Sequence, residues 1–264
     1  MSVLVASDAP DQTAEGVRLP ASLAGDQSPG GRSPLLWASL RHILQDRQDD
    51  QSVAAPRVLD CGGGSGSLAV PLAVLGAVVT VVDVSIDALA TLTRRAAEAG
   101  VSDRVTAVQG EAESLAQLAT ADTFDLVLAH DVLEDVQDPA LVLGQIAGVL
   151  RPGGVLSVVV ANPVAGVLAR VLAGDVAGAL AVYRQPVAQA YDGQSLAGLC
   201  LAAGLQVQSV EGLGVFTDLV PGIELDRPGA IAALSELESA VAGQPPYRDI
   251  ASRLHVQASR PSAG

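Results

Sequence analysis

A chain of 264 residues, 49% hydrophobic but only 2% aromatic, is long enough for one large α/β domain whose core must be filled by Ala, Val, Leu and Gly. Its 15 Lys+Arg face 29 Asp+Glu, a net charge of -14, which argues against the broad basic surface that nucleic acid normally requires. Two cysteines exclude a disulfide framework, and with a short N-terminal apolar run lacking a basic segment before it they lead to the expectation of a cytoplasmic protein.

Residues 1–27 mix Asp, Gln, Pro, Gly and Ser without periodicity and are expected to form a mobile tail. Residues 28–55 read as a helical lid and linker. Over 34–47 the apolar Leu35, Leu36, Trp37, Leu40, Ile43 and Leu44 recur at helical spacing, an amphipathic helix expected to close over a ligand. The domain proper is assigned to 56–264. A first strand at 56–61 carries Asp60 and opens onto the glycine turn Gly62, Gly63, Gly64 and Gly66; a helix at 68–75 then stops at Gly76. A continuously apolar strand at 77–83 ends at Asp83 and Val84, and Ser85 caps a helix that Gly100 closes. Strand 105–109, a short helix at 115–118, strand 125–130 ending in His130, and helix 139–150 follow in the same rhythm. After the turn Arg151-Pro152-Gly153-Gly154 comes a fifth strand at 155–161.

Residues 162–191 break the alternation and are read as a substrate-side insert. Asn162, Pro163, Arg170 and Asp175 interrupt the apolar run there, against a membrane span. Helix 195–203, strand 206–210, a helix at 228–242 opened by Pro228, and a closing strand at 254–258 complete the chain. The pattern predicts a doubly wound, mostly parallel, seven-stranded α/β sheet of Rossmann-like type, with its ligand at the carboxyl ends of the strands.

The glycine turn admits two ligands. Gly64, Gly66 and Ala69 satisfy the dinucleotide pattern G-x-G-x-x-G/A, with Asp83 near the distance for a ribose contact. A fixed carboxylate at Asp60, however, would repel a pyrophosphate lying beside the turn. S-adenosylmethionine has no phosphate and carries a sulfonium and an ammonium, so Asp60 favours it, while Asp83 can accept from both ribose hydroxyls. The order D-x-G-x-G-x-G thereby resembles motif I of the class I methyltransferases. In that group the segment Gly110-Glu111-Ala112-Glu113 corresponds to the adenine contact, and either acid could serve; as a plain solvated loop the acids would simply start a helix. FDLVLAHDVLEDVQDP resembles motif IV, which puts His130 opposite the expected methyl position. His130 could touch the cofactor, orient the acceptor or act as a base, or be a packed structural residue. His42 and His255 show no ligand spacing with Cys or acids, and no catalytic metal site is read. Asn162-Pro163 follows the fifth strand rather than the fourth, so it is not taken as the N-methylase signature.

On LDCGGGSGSLA, VVDVS, AAEAGVSDRV, DLVLAHDVLEDVQDP, VLRPGGVLSVVVANP, AGLQVQSVEGLGVFTD and LHVQASRP, the chain resembles the bacterial tRNA 5-carboxymethoxyuridine methyltransferase group, which esterifies a carboxylate on the wobble uridine. The resemblance implies cofactor contacts at Gly62, Gly63, Asp83, Ala112, Glu113 and His130, and at Arg32 as a donor to the cofactor carboxylate from the helical lid. It departs from the group in its insert. Where the group has a lysine-rich run, GDVAGALAVYRQPVAQAYD carries Arg184 as its sole cation, so the acceptor stays open between tRNA and a small carboxylate. The expectation is an S-adenosylmethionine-dependent methyltransferase working by in-line transfer, with a small-metabolite O- or N-methyltransferase or a non-catalytic cofactor-binding protein as alternatives.

Overall fold

The computed structural model describes residues 33–49, 55–184 and 189–262. The expected tail at 1–27 and Arg32 lie outside the described residues.

Seven strands form one sheet. They are β1 (Arg57–Cys61), β2 (Val78–Asp83), β3 (Val105–Gln109), β4 (Phe124–His130), β5 (Leu150–Ala161), β6 (Gln206–Leu213) and β7 (Arg253–Ser259), in the order β3-β2-β1-β4-β5-β7-β6. β1 to β5 are parallel, and β7 runs antiparallel to both β5 and β6. Chain direction along the sheet reverses between β1 and β4, which opens a crevice at their carboxyl ends.

Helices cover both faces because the parallel strands need crossovers and bury both sides. Along β4 the residues alternate: Leu126 and Leu128 pack on one face, Val127 and Ala129 on the other. The second face is covered by α5 (Pro139–Val149), through Val142, Leu143 and Ile146, and by α8 (Gly193–Ala202), through Leu196 and Cys200. The first face is covered by α1 (Pro34–Asp49), α2 (Ala69–Val74) and α3 (Ile86–Glu98). The short α4 (Leu115–Leu118) links β3 to β4.

The helix expected to act as a lid is a layer of the core over its length. Leu36, Leu40 and Leu44 share a cluster with Val58, Leu72, Leu128 and Val159. Polar bonds fix its two ends: Gln257 Nε2 donates to Ser39 Oγ at 2.6 Å, and Gln48 Nε2 to Leu75 O at 2.9 Å. Its amino end therefore lies toward the carboxyl ends of the parallel strands.

Three boundaries and one missed element stand out against the sequence reading. The Arg151–Gly154 turn is absorbed into β5, where the register with β4 breaks between Phe124 and Leu126. β6 continues to Leu213, past Gly212. A Cβ on Gly212 would stand 2.8 Å from Arg248 O and 2.6 Å from Ala251 Cβ, so this glycine serves close backbone approach rather than a turn. α10 (Ala230–Val241) starts after Gly229, whose φ of 82° makes it the break, and not at Pro228. α9 (Gly222–Leu225) had no sequence signal. The insert after β5 is a helical hairpin, α6 (Pro163–Leu172) and α7 (Val176–Arg184). Among the described residues no helix is long and apolar enough to cross a membrane.

If α1 is core, Leu40→Ala, which truncates a fully buried side chain, lowers unfolding stability by about 2–5 kcal/mol in urea titrations. A loss below about 0.5 kcal/mol, the range of a surface substitution, contradicts the core assignment.

Candidate active site

The turn after β1 is held by its neighbour strand. Gly62 N donates to Val82 O at 2.8 Å, and Gly64 N donates to Asp83 Oδ2 at 2.8 Å. The other carboxylate oxygen of Asp83 accepts from Ser85 N, also at 2.8 Å. Each oxygen keeps a lone pair, so Asp83 can still accept from two hydroxyls. Gly62 has φ of 69°, and a Cβ there would fall 2.6 Å from Val132 Cγ2. Gly63 rides directly over Asp60: its missing Cβ would meet Asp60 Oδ2 at 2.5 Å. Asp60, 4% exposed, thus lies beneath the turn rather than on the cavity wall. Gly66 acts in packing, since a Cβ would collide with Leu92 of α3 at 2.2 Å.

A cavity of about 390 Å³ opens at the carboxyl ends of β1, β2 and β4. Of the residues expected from the sequence, Gly62, Asp83, Val84, Glu111, Ala112 and Glu113 line it. Val84, 63% exposed, gives the wall an apolar patch. Of the two acids left open by the sequence, Glu113 is the fixed one, with Oε1 accepting from Gln137 N at 2.9 Å; Glu111 is exposed. The loop after β4 contributes Asp131, Val132 and Asp135, which the sequence reading did not name. Among the described residues five carboxylates, those of Asp83, Glu111, Glu113, Asp131 and Asp135, therefore belong to the lining, and no Lys or Arg does. Such a wall suits a ligand carrying positive charge and opposes a pyrophosphate.

Cys61 sits under this wall, 1% exposed. Burial, followed by the charges of Asp60, Asp83 and Glu113, pushes its thiol up to about 12. It stays protonated and offers no competing nucleophile. Burial alone pushes Cys200 up to about 11.

His130 is buried, 5% exposed, and is not part of the cavity lining. Its Nε2 lies 2.9 Å from Ser157 Oγ, which in turn lies 2.9 Å from His255 Nε2. The sequence reading set His255 aside for lack of ligand spacing; only strand register brings it to His130. Beyond the ends of β4 and β5 stand further groups that the sequence reading missed. Asp131 has φ of 59° and pairs with Arg253 at the start of β7. Glu134 Oε1 accepts from Ala161 N at 2.7 Å, and burial is the main cause raising its carboxyl above the usual range. Tyr191 OH donates to Leu133 O at 3.1 Å, and its phenol is raised by burial and then by Glu134. Asn162 is fully used as a structural residue: Nδ2 donates to Asp249 O and Ala251 O, and Oδ1 accepts from Val164 N to cap α6. Among the described residues no group of three or more His, Cys, Asp or Glu is disposed to hold a metal ion.

Residues 59–158 match the family described as "Methyltransferase domain". Over 245 residues the chain is 31% identical to the tRNA 5-carboxymethoxyuridine methyltransferase of Escherichia coli K12, spanning 88% of this chain and 89% of the relative. The chain belongs to the class I S-adenosylmethionine-dependent methyltransferases. A ubiquinone biosynthesis O-methyltransferase of Parvibaculum lavamentivorans is 40% identical over 108 residues, 40% of each chain. The solved S-adenosylmethionine-dependent methyltransferase of Mesorhizobium loti superposes with a TM-score of 0.56 at 20% identity, over 85% of this chain and 97% of that one.

S-adenosylmethionine is the cofactor of this methyltransferase, and the residues present fit it. The lone pairs of Asp83 suit the ribose, the patch at Val84 with Glu113 suits the adenine, and the acidic wall offsets the sulfonium and ammonium. Asp83→Ala removes the ribose acceptor and weakens cofactor binding by about 1.5–3 kcal/mol in calorimetry, the range for hydrogen bonds to a charged group; unchanged affinity would remove Asp83 from the ribose. A second expectation follows from the buried thiols. In the native methyltransferase iodoacetamide at mildly alkaline pH leaves Cys61 and Cys200 unmodified, and both react after unfolding in urea, as mass spectrometry reads.

Proposed function

We propose that this methyltransferase esterifies a carboxylate, with the carboxymethoxy group of a tRNA wobble uridine as the leading acceptor. The observation that carries this reading is the engagement of His130: its Nε2 is 2.9 Å from Ser157 Oγ, inside the sheet. A carboxylate acceptor is already ionised near neutral pH, so transfer onto it needs no base. Support for the tRNA comes from the Escherichia coli relative, which matches over nearly the whole of both chains. A cytoplasmic setting accompanies the proposal, in keeping with two free cysteines.

When bound, S-adenosylmethionine supplies an electrophilic methyl group on its sulfonium. The chain's own work is positional. Asp83 holds the ribose end, Glu113 and Val84 border the adenine end, and the loop carrying Asp131 and Val132 walls the cavity beside β4. An acceptor oxygen brought to roughly 3–3.5 Å from the methyl carbon, with water excluded, needs little further help. Arg253, half exposed and paired with Asp131, is a cation at hand for an anionic acceptor.

A second reading rests on Glu134. Its carboxyl is raised by burial, and its Oε2 is buried without a hydrogen-bond partner, the profile of a general base for a hydroxyl or amine. The insert favours a small molecule as well: Val171, Leu172, Val176 and Tyr183 are exposed there, and Arg170 is paired with Asp175.

Transfer of a labelled methyl group to a carboxymethoxyuridine anticodon stem, to a panel of small carboxylates, and to hydroxyl and amine acceptors separates the two. Carboxylate methylation predicts a rate flat from about pH 6 to 9 that survives His130→Gln and Glu134→Gln. A steep profile that either substitution abolishes, with a loss on the order of 10²–10⁴ in rate, rejects it in favour of base-assisted transfer.

A further inference from the structure

The register of β7 puts Arg253 opposite Ala161 at the carboxyl end of β5 and opposite Leu213 at the end of β6. From there its Nη1 donates to Asp131 Oδ1, across 122 positions of the chain. Asp131 is fixed through its backbone, with φ of 59°, a conformation Asp tolerates better than most residues, and with N donating to Val159 O at 2.9 Å. Asp131 belongs to the lining of the cofactor cavity, and Arg253 does not. The guanidinium thus stands one residue back from the cavity, beyond Asp131.

Other arginines on the segments past the carboxyl ends of the strands pair with acids close by in the chain: Arg170 with Asp175, Arg227 with Glu224, and Arg248 with Asp249. Arg253 reaches instead from the last strand to the cavity rim. Among the described residues its side-chain hydrogen bond is the one to Asp131, and with the side chain 46% exposed the fork keeps donors open to an incoming group. Glu134 also lies in the field of Arg253 but competes weakly for it. Its Oε1 accepts from Ala161 N, and its carboxyl is raised, first of all by burial.

Charge makes this position matter. Among the described residues five carboxylates border the cavity, and each repels a further carboxylate brought in on an acceptor. A guanidinium at the rim offsets that repulsion and offers a planar pair of donors.

We propose that Arg253 selects an anionic acceptor, holding one oxygen of its carboxylate while the other oxygen faces the methyl group. The assignment rests on the carboxylate reading of the function. In the transfer the free oxygen gives an electron pair to the methyl carbon, the carbon–sulfur pair returns to sulfur, and no proton moves. The ester formed is neutral, so Arg253 holds the acceptor in preference to the product.

Labelled-methyl transfer to the carboxymethoxyuridine anticodon stem and to the small-carboxylate panel, each with its own neutral amide as competitor, tests the assignment. The wild type is expected to bind the carboxylate ahead of the amide by about 10–10²-fold, the worth of one charge-assisted hydrogen bond. Arg253→Gln raises KM for the carboxylate by about that factor and leaves the inhibition constant of the amide unchanged. Arg253→Lys, which keeps the charge without the fork, falls between the two and carries the comparison if Arg253→Gln folds poorly. Calorimetry with S-adenosylmethionine checks that each variant is folded. A KM that neither substitution changes, or equal losses for carboxylate and amide, overturns the proposal and leaves the carboxylate reading standing. A wild type that methylates hydroxyl or amine acceptors and no carboxylate overturns both.

Discussion

The Asp83 carboxylate locks together the two turns that border the cavity: Oδ2 accepts from Gly64 after β1 and Oδ1 from Ser85 before α3, both at 2.8 Å. Neither turn can shift without breaking a charge-assisted bond, worth about 1.5–3 kcal/mol. The close approaches at Gly62 and Gly63 depend on this lock. With the turn fixed, Gly62 comes against Val132 of the loop after β4, and Gly63 comes over Asp60, so three strand ends meet at one cavity. A side chain at either glycine would push the turn off the geometry that Asp83 enforces.

Charge is the second constraint. Five acids border the cavity and Asp60 lies beneath it, so the wall is self-repelling and a ligand with a sulfonium and an ammonium relieves that repulsion. Burial first, and this field after it, keeps the Cys61 thiol protonated. The net charge of -14 is thus partly a property of the site and not only of the surface. Arg253, on Asp131, is where that field is interrupted.

The groups beyond the ends of β4 and β5 owe their composition to the antiparallel strand. Because β7 runs opposite to β5, its first residue, Arg253, pairs with Ala161 at the carboxyl end of β5, and His255 enters the interior beside Ser157. A parallel strand would have brought its last residues there instead. Buried polar groups in a sheet interior are costly unless satisfied. Here each of the central contacts is made between side chains of adjacent strands, within the layer that α1 seals.

That the glycine turn and Asp83 meet at one cavity was legible in the sequence because the relation is local. Asp60, the glycines and Asp83 fall within one βαβ unit, where the spacing of turn, helix and strand fixes their relation, and Glu111 to Glu113 follow the next strand by the same rule. Periodicity likewise gave seven strands and most of the helices between them, and it fell short at β6, read as ending at 210 and continuing through Gly212 to Leu213, and at the Arg151–Gly154 segment, which reads as a turn and extends β5. The burial of α1 could not be read, since an amphipathic stripe is the same for a lid and a core layer. Nor could His130 be turned inward, or Arg253, Glu134 and Tyr191 be brought together beyond the ends of β4 and β5. Those contacts join residues separated by 27 to 122 positions; the pairing of β4 with β5 sets those of His130 and Glu134, and the antiparallel register of β7 on β5 sets that of Arg253. The sequence by itself determined the fold class and the cofactor; the tertiary structure decided which side chains face one another across the sheet, because a strand's neighbours are chosen by packing and not by order along the chain.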